Sequence, residues 1–339
     1  MTPSVISMKD CLKKCWLAVL CGLLISSMSA CTVVSIADYV VPKKPQNHPT
    51  DVVLEVPFYT QTDNYCGPAA LAMVAAYHGI QTDIDELSKK VYTPKKGGSL
   101  QIEMQAAARS LGLVAFPTQL DLASLSLEID SGHPVIILQN LSLDIYPVWH
   151  YSVVTGRDVN RSHFLLHSGE HQYYRSPWHT LRNTWERSNY WAVVLLPAGQ
   201  LPSSISVDNA LQAAVNLEKI AQYRLAQHTY QAIHRRWPDN FAALAGVANT
   251  HMYLKEPLAA SRAYRQALQL NTQSAELLNN FAYTAEALGC QITAIEAVAC
   301  ALKMSHQSNP AIMDTLQQLQ AKYAQPTNHH SCPIVNCSN

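Results

Sequence analysis

The sequence has no excess of charge of either sign, since 24 lysines and arginines balance 24 aspartates and glutamates in 339 residues. Such a balance gives no overall field that would favour nucleic acid or acidic substrates. The sequence also lacks a glycine-rich phosphate loop of the Walker type, the motif that binds ATP. We therefore expect no ATP-driven exporter within this chain, so that any transporter would be a separate partner. Residues 51–197 hold no histidine, cysteine and carboxylate cluster at zinc-ligand spacing, so we expect no metal and no cofactor.

Long apolar runs are scarce, and the clearest one, WLAVLCGLLI at residues 16–25, is too short to span a bilayer. It follows a lysine-containing start and precedes MSAC at residues 28–31, which resembles the bacterial lipobox. The resemblance predicts a signal peptide over residues 1–30 and a lipid on Cys31; a plain secretory signal or an uncleaved anchor is the alternative. The absence of aspartate after that cysteine favours an outer-membrane destination in the cell envelope, with the protein facing the periplasm.

Four of the nine cysteines lie in the C-terminal part of the chain. Cys290 and Cys300 belong to a helical region and are too far apart along it to bridge each other. Cys332 and Cys337 lie in a polar tail, residues 324–339, which we expect to be flexible. Metal binding by this tail, or closure of a small loop within it, is the alternative.

Residues 51–197 combine helical patterns with β-rich runs, after a proline-containing tether predicted over residues 31–50. Because the helices come first and most strands later, we predict an α+β domain in which a helical half packs on an antiparallel sheet. The predicted strands are residues 52–59, 134–139, 151–155, 163–167 and 191–196, and the predicted helices are 68–77, 83–91 and 99–111, the last with Ser99 as its cap.

After a short linker, residues 198–206, the sequence becomes rich in alanine, leucine and glutamine and repeats itself every 34 residues. The matching positions are Ala226, Ala260 and Ala294; Tyr230, Tyr264 and Val298; Ile233, Ala267 and Ala301; Leu244 and Leu278; and Ala248 and Ala282. This rhythm of small and aromatic residues resembles tetratricopeptide repeats, with a generic helical bundle as the alternative. We predict two or three repeats over residues 207–323 that bind a protein partner.

Cys66 is the one cysteine between residues 51 and 197, so it has no disulfide partner there. Gly67 and Pro68 follow it, and proline favours the first turn of a helix. The thiol should therefore lie at a helix N-terminus, where unpaired amides stabilise the thiolate, the reactive form. The alternative is a cysteine that fills space beneath the helix.

Two further side chains could complete a thiol-dependent site. Gln61 lies five residues before Cys66 and could donate to an oxyanion, together with the backbone N–H of the cysteine. His150 stands where a loop enters a β-rich run and could serve as the base, although other histidines compete for that role.

The segments QTDNYCGPAA, GHPVIILQ and WHYSVVTG together resemble papain-like cysteine peptidases that remove double-glycine leaders from bacteriocins. The likeness extends to a stand-alone bacterial lipoprotein branch in which tetratricopeptide repeats follow the peptidase domain. The resemblance implies that Cys66 is the nucleophile, His150 the general base and acid, and Gln61 the oxyanion donor. It also implies a peptide or protein as substrate.

The chain departs from this family at one position. An aspartate usually orients the catalytic histidine, whereas LLHSGE places Ser168 there, without a charge to stabilise imidazolium. Asp158 and Glu170 are nearby in sequence and could substitute. The sequence therefore predicts an envelope-anchored cysteine peptidase; a catalytically inactive adaptor that binds through its repeats, or acyl transfer by the same thiolate, are the alternatives.

Overall fold

The computed structural model describes residues 51–61, 65–306, 308–335 and 337. The predicted signal peptide, the lipidation of Cys31 and the tether fall within residues 1–50 and lie outside the described part of the chain. Within the described ranges, no helix combines the length and the apolar character needed to cross a membrane.

The first part of the chain contains nine strands and five α-helices among the described residues. The strands are β1 (Asp51–Val53), β2 (Tyr92–Thr93), β3 (Gly98–Ser99), β4 (Leu113–Gln119), β5 (Val135–Asn140), β6 (Trp149–Asp158), β7 (His163–Ser168), β8 (His171–Pro177) and β9 (Trp191–Pro197). The helices are α1 (Cys66–Tyr77), α2 (Ile84–Val91), α3 (Gln101–Ser110), α4 (Leu122–Asp130) and α5 (Trp178–Glu186), and a 3-10 turn spans Pro94–Lys96.

The main sheet is antiparallel, with strands in the order β4-β9-β5-β6-β7-β8. Strand β1 also pairs with β6, with Asp51 opposite Asp158. Helix α1 packs against β6. The helical and antiparallel halves predicted from sequence are therefore both present, and β6 is the strand that joins them.

Helix α1 lies in the core, because every residue from Gly67 to Ala75 is buried. A helix that is apolar on all sides must be enclosed by other elements rather than lie on the surface. Its first turn is also tightly packed: a Cβ atom on Gly67 would lie 2.5 Å from the hydroxyl oxygen of Ser99. Glycine is thus required where β3 crosses the start of this helix.

Several sequence predictions for this part need correction. The predicted strand 52–59 is paired only at β1, which ends at Val53. Ser99 does not cap α3, since it belongs to β3 and the helix begins at Gln101 without a side-chain cap. The strand β4 was not predicted, and it contains Pro117; this residue is tolerated because β4 forms an edge of the sheet.

The second part of the chain consists of seven α-helices among the described residues. These are α6 (Val207–Lys219), α7 (Tyr223–Arg236), α8 (Phe241–Tyr253), α9 (Pro257–Leu270), α10 (Ala275–Ala287), α11 (Gln291–Met304) and α12 (Pro310–Lys322). Helices α6, α8 and α10 begin 34 residues apart, as do α7, α9 and α11. Each helix packs on the next, which is the arrangement of a helix-pair repeat array.

The repeated small residues have a direct packing role. Ala226, Ala260 and Ala294 are fully buried. On α8, a Cβ atom at Gly246 would lie 2.4 Å from the ring of Tyr230, so the aromatic ring of one helix packs against bare backbone of the next. This close approach requires a small residue at position 246 itself, since the residues 34 positions away are Gln212 and Asn280.

The linker between the two parts is held by a buried carboxylate. Glu128 on α4 accepts hydrogen bonds from the backbone N–H groups of Ser203 (3.0 Å) and Ser204 (2.6 Å) and from the Ser204 hydroxyl. Arg236 on α7 donates to the carbonyl oxygens of Pro202 and Ser203. The linker is therefore bonded to helices on both sides of it.

The tail was expected to be flexible, and this expectation is wrong for its described residues. Disulfides join Cys290 to Cys332 and Cys300 to Cys337. The side chain of Asn328 also accepts hydrogen bonds from backbone N–H groups in the first turn of α11. The tail is thus attached along α11 by two covalent bonds and by a cap supplied from outside the helix.

Candidate functional site

Cys66 is the first residue of α1 and is half-buried, with its thiol free. It lines a cleft of about 1120 Å³ together with Gln61 and His150. The structure therefore brings three residues singled out from sequence to one cleft, although they are up to 89 positions apart and belong to a loop, a helix and a strand.

The electrostatics of the thiol differ from the sequence-based expectation. Burial raises the pKa of the Cys66 thiol, and hydrogen bonds from the backbone N–H groups of Tyr151, Gly67 and Cys66 itself offset this only in part. We expected the helix N-terminus to favour a thiolate at rest. Burial instead favours the protonated thiol, so a reaction of this cysteine needs a base.

His150 lies at the start of β6 and is half-buried. Its Nε2 atom is 3.0 Å from the hydroxyl oxygen of Ser168 on β7. Burial lowers the pKa of His150, so the neutral imidazole is favoured at neutral pH. Among the described residues the side chain of His150 bonds to Ser168 through Nε2 and makes no hydrogen bond to the sulfur of Cys66.

Of the three residues considered as the orienting partner of His150, Ser168 is the one that contacts it. Asp158 is at the opposite end of β6, roughly 26 Å away at the usual rise of a strand. Its carboxylate is paired with Arg175 at 2.9 Å. Glu170 is exposed on the turn after β7. The suggestion that Asp158 substitutes for the missing aspartate is therefore wrong.

Gln61 is buried at the edge of the cleft. Its Oε1 atom accepts a hydrogen bond from the backbone N–H of Gly169 (2.8 Å), which fixes which end of the amide faces the site. Its Nε2 atom lies 3.4 Å from the carbonyl oxygen of Tyr151. Because an amide nitrogen carries two protons, Gln61 retains a donor for a further group in the cleft.

The lining of the cleft combines apolar side chains and backbone, such as Leu100 and Gly97, with polar side chains that include Arg187 and Asn189. A loop between β5 and β6 exposes large apolar side chains, among them Ile145 at 76% and Tyr146 at 75%. This loop continues into the cleft-lining residues 147–149. The cleft thus offers both apolar surface and hydrogen-bonding groups.

Sequence reasoning missed three polar residues beneath His150. Ser152 follows it on the same face of β6, Gln139 is its cross-strand neighbour on β5, and Thr184 lies on α5. The period-two alternation of a strand would have placed the serine beside the histidine. The other two depend on strand register and helix packing, which no local pattern specifies.

Residues 53–193 match the model of the Peptidase_C39 like family. No curated protein matches the chain. Similar solved structures include a double glycine motif protease from an AMS/PCAT transporter in complex with the leader peptide (20% identity, 44% of this chain and 99% of that chain, TM-score 0.35). They also include the peptidase domain of Streptococcus ComA (20%, 43% and 98%, TM-score 0.34) and the first TPR domain of human RPAP3 (17%, 35% and 94%, TM-score 0.34).

The matched region contains every strand of the main sheet at least in part, and it contains all five helices of the first part of the chain. Cys66, His150, Gln61 and Ser168 all lie inside it. The mixed helix and sheet part of this chain is therefore similar to C39-like peptidases over residues 53–193.

Proposed function

We propose that this chain is a cysteine peptidase that cleaves a peptide bond in the cleft at the start of α1. The observation that carries the proposal is the convergence of Cys66, His150 and Gln61 on one cleft. A free thiol, an unprotonated imidazole and an amide donor are the groups that acyl transfer by a cysteine requires.

In the proposed mechanism Nδ1 of His150 takes the thiol proton as the sulfur of Cys66 attacks the substrate carbonyl carbon. The backbone N–H of Cys66 and the Nε2 atom of Gln61 bind the oxygen that becomes negative. The imidazolium then protonates the leaving amine, and water hydrolyses the thioester to release the acid and the free thiol. Ser168 holds the ring of His150 through Nε2.

The other parts of the chain complete the proposal. The sequence of residues 1–31 supports attachment to the bacterial cell envelope through a lipid on Cys31, with the peptidase facing the periplasm. The helices α6 to α12 are proposed to be tetratricopeptide repeats that hold the substrate or a protein partner near the cleft, which would raise its local concentration.

A second candidate is an inactive peptidase-like adaptor. The raised pKa of the Cys66 thiol and the neutral Ser168 in place of an aspartate favour it, since neither residue supplies charge to the pair. In this case the cleft or the repeats would bind a peptide without cleaving it.

The experiment incubates the protein with a diverse peptide mixture and identifies the products by mass spectrometry. We expect hydrolysis by the unmodified chain, none by Cys66→Ala, and a kcat/KM about 1000-fold lower for His150→Gln, because general base catalysis contributes on that order. The matched control is His171→Gln, which changes an exposed histidine on β8 and should retain full activity.

Two results would decide against the peptidase. Hydrolysis that survives in Cys66→Ala would show that another group, or a contaminant, does the chemistry. Peptide binding without any turnover, unchanged in Cys66→Ala, would support the adaptor instead.

A further inference from the structure

Beneath His150 runs a chain of uncharged polar side chains. Nε2 of His150 lies 3.0 Å from Oγ of Ser168, which lies 3.1 Å from Oγ of Ser152. Oγ of Ser152 is 2.8 Å from Oε1 of Gln139, whose Nε2 is 2.7 Å from Oγ1 of Thr184. Ser152 is fully buried and Gln139 nearly so, so each polar atom depends on this chain for its partner.

The far end of the chain determines its direction. Oγ1 of Thr184 lies 3.0 Å from the carbonyl oxygen of Leu181 and 3.1 Å from that of Thr180, in the preceding turn of α5. Carbonyl oxygens only accept hydrogen bonds, so the threonine hydroxyl proton is donated to the helix. Its oxygen can then accept a proton only from the Nε2 amide group of Gln139.

The hydrogen bond from Gln139 to Thr184 determines which group donates in each of the other bonds of the row. With its amino group toward Thr184, Gln139 presents Oε1 to Ser152, and the single hydroxyl proton of Ser152 is donated to it. The Oγ atoms of Ser152 and Ser168 are 3.1 Å apart, and either hydroxyl can donate to the other. With the Ser152 proton given to Gln139, Ser152 accepts from Ser168, and Ser168 then accepts from Nε2 of His150. In this arrangement the ring carries its proton on Nε2.

We propose that Ser152, Gln139 and Thr184 are positioning residues that fix His150 as the Nε2–H tautomer and leave Nδ1 unprotonated for the thiol of Cys66. This inference rests on the proposed peptidase function. This row of hydrogen bonds selects the tautomer, as a carboxylate does in triad enzymes, but it adds no charge beside the ring. The imidazole is thereby held as a neutral base rather than as a resting imidazolium.

The test is an NMR measurement of the His150 tautomer in the full chain labelled with ¹⁵N-histidine, with the His150 signals assigned by their loss in His150→Gln. Long-range proton–nitrogen correlations distinguish a ring protonated on Nε2 from one protonated on Nδ1. We expect Nε2–H in the unmodified protein at a pH where the ring is neutral.

Interrupting this row of hydrogen bonds should allow the His150 ring to adopt either tautomer. In Ser152→Ala the hydroxyl of Ser168 loses its acceptor and can turn to donate to the ring, so we expect a mixture of the two forms. Thr184→Val, a change on a partly exposed helix that should not prevent folding, should allow the Gln139 amide to turn and have the same effect. The matched control is Ser176→Ala, which removes a buried serine on β8 and should leave Nε2–H unchanged.

In the peptide assay, Ser152→Ala should lower kcat about fivefold, the effect of one net hydrogen bond, with KM unchanged. An Nδ1–H ring in the unmodified protein, or Nε2–H retained in both variants, would overturn the inference. The tautomer is measured without turnover, so a protein that shows the expected tautomers but cleaves no peptide would refute the peptidase proposal alone.

Discussion

The buried carboxylate of Glu128 offers a sharp test of how the two parts of the chain are joined. Its Oε2 atom accepts from Nδ1 of His133 (2.8 Å) and from the N–H of Ser203, while Oε1 accepts from the N–H and the hydroxyl of Ser204. In Glu128→Gln one of these oxygens becomes an amino group, which donates rather than accepts. The backbone N–H of Ser203 or that of Ser204 therefore loses its acceptor, whichever way the amide turns, and the remaining bonds lose the charge of the carboxylate.

Hydrogen bonds to a charged group contribute about 1.5 to 3 kcal/mol each, so the substitution should cost about 1.5 to 3 kcal/mol. For a unit of this size, that loss corresponds to a fall in Tm of roughly 3 to 12 °C. Burial alone would raise the pKa of Glu128, but the hydrogen bonds from His133, Ser204 and Ser203 lower it below its ordinary value. The stabilisation of the fold by the ionised carboxylate is therefore present above about pH 4.5, and it is lost as the pH falls through the folded-state pKa of Glu128.

The assay combines calorimetry at several pH values with limited proteolysis of the linker, residues 198–206. Glu128→Gln should lower Tm at neutral pH, speed cleavage within the linker, and differ least from the unmodified protein at the lowest pH. Glu296→Gln, an exposed change on α11, is the matched control. A Tm difference that stayed constant across the acid range would show that the carboxylate charge does not hold the junction.

Three further predictions concern single features of the chain. Gly246→Ala should lower the free energy of unfolding of the helical part by about 2 kcal/mol in urea titrations, because the new methyl group overlaps the ring of Tyr230; an unchanged midpoint would mean that the ring moves freely. Replacing both Cys290 and Cys332 by serine should lower the free energy of unfolding by about 2–4 kcal/mol in the same titration, since their disulfide closes a loop with a sequence separation of 42. As the control, the unmodified chain should lose stability only when a reducing agent is added. The NMR titration midpoint of His150 should lie below that of a histidine in a model peptide, so this residue's contribution to stability falls as the pH drops through about 6.5; a raised midpoint would reveal an anion beside the ring.

Local patterns predicted the elements on which the site stands. Proline after Cys66 marked the start of α1, and the β-rich runs marked β5, β6, β7 and β9 to within a few residues. The 34-residue spacing predicted the succession of helices in the second part. In each case the signal is carried by neighbouring residues or by a simple period, so no knowledge of tertiary contacts is needed.

What the sequence left out depends on distant partners. Strand β4 contains a proline, and β8 is polar because it lies at the other edge of the sheet, so neither has a strong strand pattern. The thiol pKa follows from burial, which composition around Cys66 does not specify. The attachment of the tail to α11 depends on which cysteines lie close together in the folded chain, and the spacing of Cys332 and Cys337 in the sequence does not indicate their partners.

Strand β6 separates the cleft from the pairing with β1. His150 lies at the start of β6 beside the cleft, and Asp51 pairs with Asp158, the last residue of this strand, roughly 26 Å away. Because the β1 pairing lies at the far end of β6, a substitution at Asp51 should leave the geometry around His150 intact.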